Sequence, residues 1–285
     1  MPVDLPAGPL APALAERVLE RLGMNRWPGP DRAGLAALYA AWCRRVPMDN
    51  LRKLVHLRAD DPGPLPGDTP EDFFAGWLAH GTGGTCWAVH GALTALLETC
   101  GFEARRGIGT MLVAPELPPN HGLTSVRLDD ETLLVDGCIL HGEPLLLDAA
   151  RETAVEHPAW GVRARPAAGK WVVRWRSPFA PDGFDCRIDS LASDAGAFAA
   201  LHESTRDWSP FNFELFVRVH RDGGVLGAAR GERITFRADG AVERRALAPQ
   251  ERQRFLVEEV GISEAFAQRV PDDVPMPPPG QGARA

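Results

Sequence analysis

The chain has 285 residues, enough for one large domain or two to three small ones, with 45% hydrophobic and 24% charged residues as in an ordinary globular protein. A formal net charge of −7 excludes nucleic acid as the main partner, because no basic field neutralises phosphates. No apolar run is long enough to span a bilayer, and no basic, apolar leader is read at the start, so no membrane partner and a cytoplasmic protein are expected.

In chain order, the first elements read as helices. Leu14, Val18, Leu19 and Leu22 recur at helical spacing up to Gly23. Asp31 is placed to cap a second helix through Leu35, Leu38, Tyr39 and Trp42 that stops before Pro47. A loop rich in Pro, Gly and Asp over 60–70 precedes a short helix over 71–80. A Gly-rich loop over 81–85 then leads into a helix pattern over 87–99, closed by Gly101.

From Phe102 the period shortens, with expected strands over 103–113, 123–128, 132–135, 171–176 and 185–188. Asp129-Asp130 marks the turn between the second and third of these. From Ser193 a short helix precedes strands over 213–220, 225–229 and 233–237, one further short strand and a helix over 249–260. The Pro-rich stretch from Pro271 is expected to be a disordered tail. Helices followed by strands followed by a mixed unit argue for an α+β fold. The expected units are 1–101, helical and bearing the nucleophile; 102–192, of strands and bearing His and Asp; 193–270, mixed; and 271–285, the tail.

Five cysteines, Cys43, Cys86, Cys100, Cys138 and Cys186, form an odd set without close pairs, which suits reduced thiols. Cysteine and histidine lack zinc-ligand spacing, so no metal is expected. Cys86 differs from the other four because a Gly-rich loop turns into a helix there. Free backbone N–H groups and the positive end of a helix dipole favour a thiolate over a thiol at such a place. A nucleophilic cysteine needs a base, and the base needs an orienting partner. If the strands over 123–128 and 132–135 pair through Asp129-Asp130, His121 and Asp136 fall at the same end of a hairpin and supply both. Cys86, His121 and Asp136 are therefore the expected catalytic residues, with Gly84, Thr85, Trp87, Gly137 and Cys138 bordering the substrate. His90, one turn along from Cys86, either tunes the thiol, touches substrate or packs. His80 and His141 are further candidate site neighbours, Asp49-Asn50 reads as a structural hydrogen-bonding element, and Trp171, Trp175 and Phe211 either line an acceptor pocket or, for most of them, pack in the core.

Val46-Pro47-Met48-Asp49-Asn50-Leu51 resembles the V-P-F-E-N-L motif of the arylamine N-acetyltransferases, and Gly83-Gly84-Thr85-Cys86 resembles their G-G-x-C. His121 and Asp136 match the family's catalytic His and Asp in order and spacing. Arg21-Leu22-Gly23 with Pro28-Gly29-Pro30, and Ser209-Pro210-Phe211-Asn212-Phe213 with the final helix, extend the likeness over most of the chain. The resemblance implies an N-terminal helical bundle, a central β-barrel and a C-terminal α/β lid around a papain-like cysteine core. It implies no permanently bound cofactor, with acetyl-coenzyme A or another acyl thioester as donor and the nitrogen of an arylamine, hydrazine or similar small amine as acceptor. The family pattern R-G-G-x-C-F-E-x-N is altered here to Thr82, Ala88 and His90, and V-G-F-G after the aspartate becomes Gly137-Cys138-Ile139-Leu140. These changes leave two alternatives open: an amide synthase fed by a bulky or carrier-protein-bound acyl chain, and a transglutaminase-like or hydrolytic cysteine enzyme.

Overall fold

The computed structural model describes residues 9–59, 63–113 and 117–276. The expected tail therefore lies outside the described residues from 277 onward, as does part of the loop expected over 60–70.

Helices α1 (Pro12–Arg21), α2 (Arg32–Arg45), α3 (Leu51–Leu57), α4 (Pro70–His80) and α5 (Cys86–Thr99) form the helical part. Asp31 caps α2 as its type and place suggest, its carboxylate accepting from Gly34 N at 2.7 Å. Thr69 caps α4 in the same way, and Pro70 occupies the first helical turn, where no N–H is needed. Trp42 of α2 stacks on Phe73 of α4, with ring centres 6.0 Å apart, and Phe74 packs edge-on against both. Burying side chains of this size stabilises by about 2–3 kcal/mol each, so this aromatic cluster anchors the helices. Helix α5 is buried on nearly every side. Its Val89 and Leu93 share a core with Val126 and Leu133 of the neighbouring sheet.

The second part is one antiparallel eight-stranded sheet. Its strands are β2 (Glu103–Met111), β3 (His121–Leu128), β4 (Glu131–Leu134), β5 (Leu145–Leu146), β6 (Thr153–Val155), β7 (Val162–Ala167), β8 (Lys170–Ser177) and β9 (Ala180–Ser190), in the order β5-β4-β3-β2-β9-β8-β7-β6. The edges β5 and β6 come together, the Thr153 hydroxyl donating to the Leu146 carbonyl, which makes the sheet a nearly closed barrel. Leu123, Val162, Val173, Trp175 and Ile188 are among its core. Strands β3 and β4 pair as the Asp129-Asp130 turn suggests, with Leu128 opposite Glu131, and Asp129 takes the left-handed φ of 52° such a turn requires.

The third part holds α6 (Ala195–Ser204), β10 (Phe216–Arg221), β11 (Gly224–Ala229), β12 (Glu232–Phe236), β13 (Val242–Ala246), α7 (Pro249–Arg254) and α8 (Glu264–Ala267). The five-stranded antiparallel sheet of this part takes its edge strand from far upstream: β1 (Met48–Asp49) pairs with β10, Met48 opposite Arg218. Helix α7 runs on into a π-helical turn over Phe255–Val260.

The α+β architecture of bundle, barrel and mixed unit agrees with the sequence reading, with differences in detail. Strand β3 begins at His121 rather than at 123, β2 ends at Met111 rather than 113, and β10 begins at Phe216 after a 3-10 turn at Pro210–Asn212. The single expected helix over 249–260 is α-helical only to Arg254. Strands β5 to β7 and helices α3 and α8 were not expected at all. Two- and three-residue strands carry no readable alternation, and β7 contains Pro166, which weakens any strand signal.

Candidate active site

Cys86 is the first residue of α5 and is 5% exposed. The loop before it is held by the Val46–Leu51 segment. Asp49 N donates to Gly84 O at 3.1 Å, and Asp49 Oδ2 accepts from Gly83 N at 2.6 Å. A Cβ on Gly83 would stand 1.7 Å from Pro47 O, so only glycine fits this approach. Asp49 Oδ1 also accepts from Leu51 N at 2.9 Å. Asn50 reaches the other way, donating to Phe211 O at 2.9 Å and Glu214 O at 2.7 Å and accepting from Phe216 N at 2.8 Å. The Asp49-Asn50 pair thus ties the Gly-rich loop to the third part of the chain, in line with its structural reading. Thr85 forms the N-cap of α5 but makes no side-chain cap hydrogen bond, and the first turn holds no acidic residue. The N–H groups and positive dipole end beside the thiol are therefore not offset by a local carboxylate.

The end of the β3–β4 hairpin brings His121 and Asp136 together. His121 Nε2 lies 2.7 Å from Asp136 Oδ2, which leaves Nδ1 to serve the Cys86 thiol, whose Sγ itself donates to Asn120 O at 3.8 Å. Burial opposes a charged imidazole here. The Asp136 carboxylate, through its charge and the hydrogen bond it accepts from the ring, outweighs burial and, with the Cys86 sulfur nearby, lifts His121 from 6.5 to about 10. Burial would likewise raise Asp136, but the charge of His121 and the hydrogen bonds from His121 and His90 hold its carboxyl well below the usual carboxylate range. The arrangement is an anion braced by an imidazolium next to a thiol.

Around Asp136 the packing is dense. Its Oδ1 accepts from Cys138 N and Ile139 N, both at 2.8 Å, and meets His90 Nε2 at 3.2 Å. Tyr39, the chain's one tyrosine, donates its hydroxyl to Asp136 O at 2.7 Å and accepts from His141 N at 3.1 Å. His141 Nδ1 donates to Glu143 O at 2.6 Å, so Nε2 is the lone pair that accepts from Asp136 N at 3.2 Å. Burial pushes His141 down to about 4, in keeping with that neutral form. His80, by contrast, bonds Ser263 Oγ at 3.0 Å and takes no part in this network.

The other expected site residues lie immediately beside the three. Gly84 bridges to Met48, Thr85 and Trp87 flank Cys86, and Trp87 packs edge-on against Phe198 of α6 with ring centres 5.0 Å apart. Gly137 leaves no room for a side chain, since a Cβ would come within 2.6 Å of Val89. Cys138 is buried, and burial pushes its thiol well above the usual range. Tyr39, Thr94 and Thr124 were not read from the sequence. The signal for Thr94 was present, because it continues the spacing of Cys86 and His90 along one helix face.

His90, Asp136 and Cys138 bring one nitrogen, one oxygen and one sulfur atom within 4.8 Å of one another. Asp136 Oδ1 is already engaged by three N–H donors, so hydrogen bonding accounts for the cluster. A separate open cleft of about 520 Å³ lies on the five-stranded sheet beside Arg233 and Glu259, remote from Cys86. Its Arg233 is paired with Glu259 at 2.6 Å. The buried chemistry is at Cys86.

Comparison with known proteins finds similar chains. An arylamine N-acetyltransferase from Mycolicibacterium smegmatis is 32% identical over 125 residues, 41% of this chain and 43% of that protein. The arylamine N-acetyltransferase from Mycobacterium abscessus superposes with a TM-score of 0.74 at 20% identity, covering 90% of this chain and 93% of that one. The chain is similar to the arylamine N-acetyltransferases, in sequence over part of its length and in fold over most of it. The enzyme from Salmonella typhimurium gives a TM-score of 0.72 at 20% identity, covering 92% of this chain and 98% of that one. That from Mycobacterium marinum gives 0.75 at 17% identity, covering 90% and 98%. The sequence match spans less than half the length of the M. smegmatis arylamine N-acetyltransferase, whereas the structural matches extend the shared fold over nearly the whole chain. No family model matches the sequence. Among the described residues no helix is long and apolar enough to cross a membrane.

Proposed function

We propose that the protein is a cytoplasmic acyltransferase that moves an acetyl or other acyl group from a thioester donor, through an acyl-cysteine at Cys86, to the nitrogen of a small amine. The observation that carries this reading is the 2.7 Å contact of His121 Nε2 with Asp136 Oδ2 behind a cysteine at a helix start. Asp136 fixes the ring so that Nδ1 faces sulfur and stabilises the imidazolium. The Cys86 thiolate attacks the thioester carbonyl, and the oxyanion of the tetrahedral intermediate is met by backbone N–H groups at the start of α5. The departing thiolate takes the proton from His121, leaving acyl-Cys86. An amine then attacks, His121 accepts its proton, and the thiolate–imidazolium pair is restored. Gly84, Thr85, Trp87, Gly137 and Cys138 border the path of the acyl group in this reading.

A second reading, an amide synthase taking a bulky or carrier-protein-bound acyl chain, is favoured by Thr82, Ala88 and Gly137-Cys138-Ile139-Leu140 in place of the usual family residues. Intact-protein mass spectrometry after mixing with acetyl-coenzyme A, a longer acyl-coenzyme A or an acylated carrier protein separates the two by which donor leaves its mass on the chain. Addition of an arylamine or hydrazine then discharges the adduct faster than water does. Discharge by water at the same rate would favour a hydrolase instead.

A further inference from the structure

Helix α5 presents Cys86, His90 and Thr94 four residues apart along one face. His90 is fully buried, and both ring nitrogens are engaged: Nε2 with Asp136 Oδ1 at 3.2 Å, and Nδ1 with Thr124 Oγ1 at 2.9 Å. Thr124 Oγ1 in turn lies 2.9 Å from Thr94 Oγ1. The proton positions follow from what each group can donate. An ionised carboxylate only accepts, so the hydrogen of His90 sits on Nε2. Burial lowers the pKa of His90 and keeps the ring neutral, so Nδ1 is a lone pair and the Thr124 hydroxyl donates to it. Thr124 has then used its one hydrogen, and Thr94 donates to Thr124.

We propose that His90 is a positioning residue of the acyl-transfer site, holding Asp136 Oδ1 so that Oδ2 stays aimed at His121, with its own Nδ1 held by the Thr124–Thr94 hydroxyl pair. This inference rests on the reading of Cys86, His121 and Asp136 as the reacting unit. Asp136 takes its remaining N–H donors from Cys138 and Ile139, on its own loop. Among the described residues, His90 is the side chain of α5 that hydrogen bonds Asp136, so it ties the helix carrying the nucleophile to the loop carrying the carboxylate. The rings of His90 and His121 have centres 5.7 Å apart on the two oxygens of one carboxylate. Two imidazolium ions there would repel, and a neutral His90 leaves the positive charge to His121. A reacting group displaced by about an ångström loses on the order of a hundredfold in rate, which is the scale on which such a tie acts.

The test measures alkylation of Cys86 by iodoacetamide across pH, a probe of the thiolate–imidazolium pair that requires no knowledge of the natural substrates. His90→Leu is expected to slow alkylation near pH 6 by about tenfold and to displace the pH profile. His90→Gln, which keeps an N–H for Asp136, is expected to recover most of that loss, and Thr124→Val to fall between the two. A profile for His90→Leu that matches wild type, or a loss in His90→Gln equal to that in His90→Leu, overturns the inference. His121→Ala run in parallel separates the two readings: an unchanged profile there removes the His121 pairing itself. Imidazole nitrogen NMR of the unaltered protein gives a check that does not depend on any variant folding. It is expected to show His90 protonated on Nε2 and bare on Nδ1, and a proton found on Nδ1 overturns the assignment.

Discussion

Two aspartates, Asp49 beneath the Gly-rich loop and Asp136 beneath His121, are equally sealed from solvent, at 0% and 1% exposure. Each accepts two backbone N–H groups, Asp49 from Leu51 and Gly83, Asp136 from Cys138 and Ile139. They differ in what else they meet. Asp49 has no imidazole, and burial drives it from 3.8 up to about 6 against the pull of its two N–H donors. Asp136 has His121 and His90, and falls well below the usual range. Backbone dipoles seat a buried carboxylate, whereas an opposite charge keeps it ionised. One aspartate therefore serves the architecture of the loop, and the other serves the proton on His121.

The largest effect that sharpens this division is expected at the thiol they both serve. Cys86→Ala should abolish the acyl adduct in intact-protein mass spectra, and an adduct surviving on another cysteine would break the account of the site. Next comes the loop joint: Gly83→Ala forces a Cβ onto Pro47 O and should lower stability by about 3 kcal/mol or more in denaturant melts. A melt unchanged from wild type would show that the loop yields freely.

The pH dependence of stability should run in opposite senses for the two carboxyls. The raised Asp49 contributes stability that is fully present below its unfolded value of 3.8 and lost as pH rises through about 6. Wild type measured against Asp49→Asn should therefore lose on the order of 3 kcal/mol between about pH 4 and 6. The depressed Asp136 contributes stability present above its unfolded value of 3.8 and lost as pH falls. Wild type measured against Asp136→Asn should accordingly gain with rising pH, and the same sign for both comparisons would contradict the assignment. The smallest effect is expected at Thr82, whose buried hydroxyl finds no hydrogen-bond partner among the described residues. Thr82→Val should leave acylation unchanged and raise stability by about 1 kcal/mol or less.

Much of this site could be read before the fold was known. A glycine-rich loop running into a helix marked Cys86, and Asp129-Asp130 set the hairpin register that brings His121 to Asp136. Asp31 announced the start of α2. The joint was only half legible: Asp49-Asn50 read as structural, but an edge strand of two residues exists only because β10 supplies its partner. Strand β5 likewise depends on the barrel that surrounds it. The hydrogen bonding around Asp136 was legible only in part, for a different reason. His90 and His141 read as site neighbours and Tyr39 and Thr124 did not, but the hydrogen bonds of all four follow from packing between separate elements that no local pattern encodes. The π-helical turn at Phe255–Val260 keeps the apolar spacing of an ordinary helix, so the sequence does not distinguish it.

The most direct test sets Asp136→Asn beside Asp49→Asn, measuring for each the thermal midpoint and the rate of Cys86 acylation per folded molecule. The account predicts that Asp136→Asn, although less stable than wild type at neutral pH, still folds, while acylation per folded molecule falls by about a thousandfold or more. Asp49→Asn should shift the midpoint while its folded fraction acylates at close to the wild-type rate. Acylation by Asp136→Asn at the wild-type rate would contradict the claim that this buried carboxylate works through His121 on the thiol.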